Sequence, residues 1–253
     1  MIAVLSDVHA NLEALQAVLA DLARQGATAV YCLGDVVGYG PDPRACLDLA
    51  MSWRAVVLGN HDEAALLGAD GFAPAAERAV EWTRGQLDAD EPDRGGRERR
   101  RDFLAGLPRR HVEGDFLYVH GSARNPLHEY VFPADAVDRH KMGRVFAQVG
   151  RYCFQGHTHV PGVFEEHEPG ELYLFSGPEA LGHRYRLGGA KAVCNVGSVG
   201  QPRDGDWRAC YALLDGGTVV FRRVEYDVEA TVRKVLGSGG LDPRLGERLR
   251  EGR

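Results

Sequence analysis

Five short blocks of the 253-residue chain carry aspartate, asparagine and histidine residues, and each block follows an apolar run. The first and last blocks are Asp-x-His and His-x-His, a spacing that directs both side chains to one face of an extended chain. Carboxylate, amide and imidazole groups of this kind bind divalent metals such as Mn, Fe, Ni or Zn. The candidate ligands are Asp7, His9, Asp35, Asn60, His120, His157 and His159.

Each of these residues has an ordinary structural interpretation when taken alone. Asp7 could cap a following helix, Asn60 could belong to a turn, and Asp35 could be a loop carboxylate. A glycine next to Asp35, Asn60, His120 and His157 would allow a sharp turn or the close approach of a ligand. The ordered set of five blocks therefore predicts a metal site.

Alternating strands and helices must bring these blocks together. Apolar runs predict buried strands at Ile2–Ser6, Ala29–Leu33 and Arg54–Leu58. Helical spacing separates them over Asn11–Gln25 and Pro41–Met51. This β-α-β-α-β order implies parallel strands, and sites in such sheets form outside the carboxyl ends of the strands. Each of the three strands ends at one of the blocks.

The remainder of the chain contains further strands and helices. Helices are predicted at Pro74–Leu87, Glu98–Leu107 and Ala134–Val149. The predicted strands are Phe116–His120, Arg151–Gln155, Gly162–Glu166, Glu171–Phe175, Ala190–Asn195, Ala209–Leu214 and Thr218–Val224. Parallel strands followed by a meander predict an α/β fold of two sheets packed face to face, with helices outside.

The length of the chain fits one large domain. We predict a single domain over residues 1–253, with a helical insertion at about 68–110 and a helical C-terminal tail at about 227–253. Within the insertion lies a polar break, Asp88–Gly96, and an arginine-rich run, Arg94–Arg101. A solvated helix face is the plain interpretation of that run, and a nucleic-acid patch is the alternative.

Composition excludes several classes of protein. The 30 basic and 36 acidic residues give a net charge of −6, which argues against a nucleic-acid partner because no global positive field exists. No apolar run approaches the ~18 residues of a membrane span. Five cysteines without a Cys-x-x-Cys pair favour the reducing cytoplasm over a disulfide framework or a thiolate zinc site. A homo-oligomer remains open.

The five blocks together resemble the calcineurin-like metallophosphoesterase superfamily. In order they are Asp7-x-His9, Gly34-Asp35, Gly59-Asn60-His61-Asp62, His120 and Gly156-His157-x-His159. Gly38–Pro41, His120–Ser122 and Asn195–Asp204 resemble its bacterial phosphodiesterase branch. The resemblance implies a four-layer α/β/β/α sandwich of two mixed sheets flanked by helices.

The resemblance also implies roles for individual residues. One metal ion would be held by Asp7, His9, Asp35 and His159. The other would be held by Asp35, Asn60, His120 and His157, so that Asp35 bridges the two. His61 would not be a ligand and would assist the leaving oxygen, with Asp62 a candidate to orient it. Because ligand imidazoles must be neutral, metal affinity is expected to fall below pH ~6.5.

The implied activity is that of a metal-dependent phosphoric ester hydrolase, and a phosphodiesterase is the leading prediction. Two divalent ions (Mn, Fe, Ni or Zn) would supply a bridging hydroxide that attacks phosphorus. The substrate would be a small phosphorylated molecule such as a nucleotide. Arg124 and Arg203 are candidates to bind phosphate oxygens, with surface salt bridges as the alternative. Tyr130, Phe132 and Phe72 could stack on a leaving group, with core packing or surface exposure as the alternative.

Other activities remain open on the same site. Protein Ser/Thr phosphatases and diadenosine tetraphosphatases carry Gly-Asp-x-Val-Asp-Arg-Gly and Gly-Asn-His-Glu motifs. Here Gly34–Gly40 lacks that arginine, and Asp62 replaces the glutamate. The alternatives are a phosphomonoesterase or protein phosphatase, a dinucleoside polyphosphate hydrolase, and a metal-binding scaffold without turnover. The presence of His61 argues against the scaffold.

Overall fold

Two six-stranded mixed sheets form the centre of the molecule, a computed structural model that describes residues 1–89 and 95–253. The first sheet contains, in spatial order, Ala55–Val56 (β3), Ala29–Cys32 (β2), Ile2–Leu5 (β1), Ala209–Asp215 (β11), Thr218–Val224 (β12) and Arg184–Arg186 (β9). The second contains Arg110–Glu113 (β4), Phe116–Val119 (β5), Tyr152–Gln155 (β6), Ala192–Asn195 (β10), Gly162–Glu168 (β7) and Leu172–Ser176 (β8).

Parallel pairing determines where the predicted ligand blocks end up. β1 pairs in parallel with β2, and β2 with β3, so their carboxyl ends share one edge of the first sheet. In the second sheet β6 pairs in parallel with β5 and β10. The remaining pairs are antiparallel. The mixed α/β character predicted from the sequence is thereby confirmed.

Helices cover the outer faces of both sheets. The α-helices are Leu12–Gln25 (α1), Pro43–Ala50 (α2), Asn60–Leu67 (α3), Pro74–Asp88 (α4), Gly96–Ala105 (α5), Arg139–Phe146 (α6), Val228–Gly237 (α7) and Arg244–Glu247 (α8). Two 3-10 helices occupy Pro133–Val137 and Arg248–Glu251. Within the described ranges, 1–89 and 95–253, no helix is both long and apolar enough to cross a lipid bilayer.

The alternation of side chains along the strands produces the four layers. In β1, Ala3 and Leu5 pack in a cluster with Leu15 of α1, whereas Val4 packs with Phe154 of β6 between the sheets. On the far side of the second sheet, Cys153, Val193 and neighbouring residues pack against Met142 and Phe146 of α6. The order is therefore helices, sheet, sheet, helix, because successive strand residues face opposite sides.

Several elements differ from the sequence-based prediction. α3 begins at Asn60, inside a ligand block, and the sequence analysis did not predict it. The edge strands β4 and β9 were also missed, because their polar, largely exposed residues carry no apolar alternation. The single helix expected over Ala134–Val149 is a 3-10 helix followed by α6, whose first turn is capped by Asp138.

The predicted insertion and tail contact each other. Residues 68–110 include α4 and α5, and residues 227–253 include α7 and α8. Ala79 of α4 shares a small apolar cluster with Val235 and Leu245 of the tail, and Tyr39 packs against that cluster. Most of the polar break predicted at Asp88–Gly96, including Arg94, lies outside the described residues.

Candidate metal centre

Sharp backbone turns at the strand ends place the candidate ligands. Residues with left-handed backbone include Asp7 (φ 54°), His9 (φ 48°), Asp35 (φ 53°), His157 (φ 66°) and His159 (φ 61°). Such a conformation costs about 1–3 kcal/mol for a residue other than glycine and clusters at functional sites. All seven candidate ligands are also buried, with at most 7% of their surface exposed. The strained backbone and the buried polar side chains therefore occur together at the same site.

One group of ligand atoms forms around Asp7. His9 Nε2 and His159 Nε2 are 3.2 Å apart, and His159 Nε2 is 3.1 Å from Asp7 Oδ1. The opposite nitrogens of both rings face backbone carbonyls, at Val37 for His9 (3.2 Å) and at Gln201 for His159 (2.5 Å). Donation from Nδ1 leaves both Nε2 atoms as acceptors, and two acceptors this close repel each other unless a cation lies between them.

A second group forms around His120. His120 Nε2 lies 3.0 Å from Asn60 Oδ1 and 2.9 Å from His157 Nδ1. His120 Nδ1 faces the Leu33 carbonyl at 2.9 Å, which again directs the Nε2 lone pair into the group. The amide oxygen of Asn60, like a carboxylate, can bind a metal ion without losing a proton.

Asp35 connects the two groups. Its Oδ1 atom accepts a hydrogen bond from the backbone N–H of His61 (2.8 Å). Its Oδ2 atom lies 3.7 Å from His9 Nε2 and 3.4 Å from His120 Nε2. A Cβ atom at Gly59 would overlap Asp35, so only glycine fits there. One carboxylate oxygen therefore faces both sets of imidazole nitrogens.

The donor set fits divalent cations. Three sets of candidate ligand atoms lie within 4.8 Å of one another, and they are Asp7–His9–His159, His9–Asp35–His61 and Asp35–His120–His157. Asp7 Oδ1 is fully buried and has no hydrogen-bond partner among the described residues, which is costly unless a cation is present. The residues present could therefore hold two metal ions that share Asp35.

Burial determines the protonation of these groups. It lowers the pKa of all four candidate histidine ligands, His9, His120, His157 and His159, and takes the pKa of His157 to about 2. Burial would raise the pKa of Asp7, but its surroundings, with His159 Nε2 nearest at 3.1 Å, hold that pKa well below its usual range. Burial raises the pKa of Asp35 well above its usual value. Since the rings stay neutral, we expect loss of metal affinity at a lower pH than 6.5.

Metal-free protein is expected to lose stability as the pH falls from 7.5 to 5.5. Folded imidazoles with lowered pKa values resist protonation, whereas the unfolded chain takes up protons near pH ~6.5, so acid favours unfolding. Each ligand histidine that stays neutral in the folded chain adds to this loss of stability at pH 5.5, and protonation of Asp35 offsets part of the loss. Urea unfolding in the presence of a chelator measures the change. A free energy of unfolding that rises over this range would contradict the expectation.

His61 lies between aromatic rings at the centre. The ring centroid of Tyr39 is 4.4 Å from that of His61, and Phe72 and His9 follow at 5.0 Å each. His61 Nδ1 is buried without a hydrogen-bond partner among the described residues. Burial lowers the pKa of His61 well below its usual value.

Asp62 does not orient His61 in the way the sequence suggested. Its carboxylate accepts hydrogen bonds from the backbone N–H groups of Val37 and Gly59, both at 3.1 Å. It therefore joins the loop after β2 to the start of α3. The aromatic neighbours, and not Asp62, hold the imidazole ring.

The two candidate phosphate-binding arginines have different environments. Arg124 pairs with Glu129 (Nε to Oε2, 3.1 Å), which also accepts from Ser122, so its guanidinium stabilises the loop after β5. Arg203 lies at the centre, where its charge helps lower the pKa of His61. One of its nitrogens donates to Gln201 Oε1 (2.8 Å), while Nε is buried without a partner among the described residues.

Aromatic residues border the centre where a cleft opens beside His61 and His157. Tyr130 stacks on His157 with 3.7 Å between ring centroids, and Phe132 stacks in turn on Tyr130 at 5.5 Å. Tyr130 and Phe132 are each more than 40% exposed, so they lie at the surface and are not packed in the core. Together with His61 and Phe72, Tyr130 lines an open cleft.

Two residues of this region were missed by the sequence analysis. Tyr39 contacts both His61 and His9 with its ring. Its position between two glycines was the available signal. Arg248 lies over the other side of the region, with its guanidinium carbon 4.8 Å from the Tyr39 ring centroid. No sequence signal distinguishes it from other arginines of the helical tail.

Comparisons with known proteins agree with this geometry. The family model for the calcineurin-like phosphoesterase superfamily domain matches residues 1–218. The uncharacterized protein MJ0912 of Methanocaldococcus jannaschii is 36% identical over 263 residues, covering 100% of this chain and 98% of that protein. The crystal structure of a metallophosphoesterase from Sphaerobacter thermophilus is 36% identical, with a TM-score of 0.83 and coverage of 100% and 99%.

A more distant structure shares the fold. A hypothetical protein from Pyrococcus horikoshii aligns with a TM-score of 0.73 at 20% identity, covering 100% of this chain and 99% of the other. The family model and the full-length relatives together place the chain in a family. The chain belongs to the calcineurin-like phosphoesterase superfamily.

Proposed function

We propose that this chain is a dinuclear-metal phosphodiesterase. The observation that carries the proposal is the single oxygen of Asp35, Oδ2, which faces the imidazole nitrogens of both His9 and His120. Asp7, His9, Asp35 and His159 would hold one ion, and Asp35, Asn60, His120 and His157 the other. Two divalent ions at such a site neutralise phosphate charge and supply hydroxide at neutral pH.

The protein's own residues position the substrate and move a proton. Burial keeps His61 neutral until an anionic phosphate lies beside it and raises its affinity for a proton. The imidazole takes up a proton from solvent and gives it to the leaving oxygen as the P–O bond breaks. Tyr39 and Phe72 fix the ring by contact on two sides, so little reorganisation is needed.

The cleft favours a diester over a monoester. A diester has a second organic group that must be accommodated beside the reacting phosphorus. The cleft extends from His61 and His157 to the aromatic walls at Tyr130 and Phe72, which suit an apolar or aromatic leaving group. A nucleotide base could stack on exposed Tyr130 and Phe132.

The cellular setting and the metal follow as further parts of the proposal. The five cysteines are all free and buried, which suits the reducing cytoplasm. Nitrogen and oxygen ligands without sulfur suit manganese and also iron, nickel or zinc. We also propose that residues 1–253 form a single domain with a helical insertion and a helical C-terminal tail.

The decisive experiment compares a diester with a monoester. Metal-stripped protein reloaded with Mn²⁺, Ni²⁺, Fe²⁺ or Zn²⁺ is expected to hydrolyse bis-p-nitrophenyl phosphate with a higher kcat/KM than p-nitrophenyl phosphate. The reverse preference would indicate a phosphomonoesterase. No turnover of either ester with two metals bound per chain would indicate a scaffold and would overturn the proposal.

Replacing Gly38 by alanine is expected to displace His61. A Cβ atom there would lie 2.6 Å from His61 Nδ1, and the backbone φ of +95° adds strain. We expect kcat on the diester to fall at least about tenfold, because small displacements of a proton donor are costly, while metal content stays unchanged. Gly170→Ala is the matched control, since its φ of +78° is similar but nothing lies within 4 Å. Equal activities of the two variants would argue against a role for His61.

A further inference from the structure

Two arginines from distant parts of the chain converge on Tyr39. The guanidinium carbon of Arg203 lies 5.8 Å from the Tyr39 ring centroid, and that of Arg248 lies 4.8 Å from it. Arg203 follows β10 in the loop that contacts the centre, and its backbone N–H donates to the His159 carbonyl. Arg248 belongs to the 3-10 helix at the end of the tail.

Neither guanidinium forms an ion pair with a carboxylate in the described ranges, 1–89 and 95–253. Arg203 Nε and both Nε and Nη2 of Arg248 are buried without hydrogen-bond partners among the residues that the structure describes. Asp242 acts on Arg248 only at longer range and pairs instead with Arg78 at 3.2 Å. Buried donors without partners are rare in proteins and are costly, so they point to a missing acceptor.

The two positive charges also oppose each other. Burial lowers the pKa of Arg248 to about 10, and the charge of Arg203 adds to this effect. A bound anion would reverse both contributions by supplying charge and acceptor oxygens to the two side chains. The pair of guanidinium groups is thus unfavourable without a bound anion and becomes favourable when an anion binds between them.

The tail is packed so that Arg248 stays in place. Leu245 and Leu249, on either side of Arg248 in sequence, are buried. They line a small cavity together with His9 and Tyr39 of the centre. Arg248 lies beyond residue 218, where the match to the family model ends. The centre is therefore extended by a side chain of the C-terminal tail.

Arg203 acts on the histidines of the centre, because its charge helps lower the pKa of His9, His61 and His159. Arg248 reaches the same Tyr39 ring from the C-terminal tail. The Tyr39 ring therefore connects a cation beside the ligands to a second cation from the tail.

We propose that Arg203 and Arg248 form an anion subsite that binds a second phosphate group of the substrate, beside the phosphate held at the metal centre. This inference rests on the proposed function, because it names the class of diester that the site would bind. That diester carries a further phosphate group joined to the reacting phosphate. Tyr39 separates the two positions and supports both guanidinium groups through its ring. The tail is thereby part of the binding site and not only a covering helix.

The test compares two nucleotides that differ by one phosphate. AMP and the α,β-methylene analogue of ADP are titrated calorimetrically into metal-loaded, full-length protein. We expect the analogue to bind about tenfold more tightly than AMP, and Arg248→Gln to weaken the analogue about tenfold while AMP changes less than about twofold. Arg248→Lys, which keeps the charge, should recover part of the loss.

Arg250→Gln is the matched control. Arg250 is two residues away, is exposed, and pairs with Glu229 at 2.6 Å. Arg250→Gln should leave the affinities for both nucleotides unchanged. Any binding of the nucleotides to free metal is the same in this control. The subsite would be overturned if Arg248→Gln left the ratio of the two nucleotide affinities unchanged, either because neither affinity changed or because both fell equally.

The test of the anion subsite and the test of the proposed function give independent results. Nucleotide binding is measured without turnover, and diester hydrolysis is measured on bis-p-nitrophenyl phosphate, which has no second phosphate. Selective loss of analogue binding in Arg248→Gln supports the subsite even if the wild-type protein hydrolyses no diester. Conversely, diester hydrolysis with no selective loss removes the subsite and leaves the proposed function intact.

Discussion

Asp35→Asn is expected to lower kcat/KM on a diester by at least about a thousandfold and to reduce the metal content below two ions per chain. The carboxylate oxygen Oδ2 is the atom that faces both His9 and His120, so its replacement by an amide would remove the negative charge that both ions would share. The hydrogen bond from the His61 backbone to Oδ1 can persist, because asparagine retains that acceptor. Metal analysis and steady-state kinetics provide the measurement.

The stability of the same variant distinguishes a lost ligand from a damaged fold. Burial and the charges of Asp7 and Asp62 raise the pKa of Asp35, so the ionised form destabilises the metal-free protein at neutral pH. Metal-free Asp35→Asn should therefore unfold no more easily than the metal-free parent. Asp215→Asn, an exposed change at the end of β11, is the control for activity. Retention of two ions and full turnover by Asp35→Asn would refute the bridging role.

His61→Asn is expected to lower kcat about 10²- to 10⁴-fold, the range for loss of a general acid, while two ions remain bound. The ring contacts Tyr39 and Phe72 in the cleft, and its Nδ1 atom has no hydrogen-bond partner among the described residues. A leaving group that needs no proton should suffer less. Esters with p-nitrophenol and with an aliphatic alcohol as leaving groups therefore provide the comparison, with the larger loss expected for the alcohol.

His128→Asn is the control for His61→Asn. His128 lines the same cleft but is exposed, and its Nε2 atom lies 3.6 Å from Glu63. Its replacement should change kcat less than about threefold, as is usual for surface substitutions. Since His61 also lies within 4.8 Å of ligand atoms of His9 and Asp35, loss of one ion in His61→Asn would make it a metal ligand and overturn the proton-donor assignment.

Apolar runs made the central strands of the fold predictable. The run Ile2–Ser6 predicted a buried strand, and the structure places Val4 between the sheets and Ala3 and Leu5 under α1. The elements that were missed, β4 and β9, are polar edge strands. Edge strands are held by pairing with a neighbour and need not bury an apolar face, so local pattern does not reveal them.

The helix α3 shows a second limit of local pattern. Asn60 and His61 look like residues of a turn, yet they begin a helix whose first turn is stabilised by Asp62. The same carboxylate accepts from Val37, which precedes it by 25 residues. The bond from Gly59 is local and caps the first turn, whereas the bond from Val37 joins that turn to the loop after β2. No local pattern in the sequence records the second bond.

The sequence by itself determined which residue types gather at the centre, because parallel strands end at one edge and each predicted ligand block follows a strand. Only the tertiary structure decided which atoms face each other, since the Asp35 oxygen, the imidazole tautomers and the ring contacts of His61 depend on backbone groups far away in the chain. It also separated Arg124, which pairs with Glu129, from Arg203, which does not pair with a carboxylate among the described residues. Arg248 entered the site through packing of the tail, a long-range contact that no spacing in the sequence encodes.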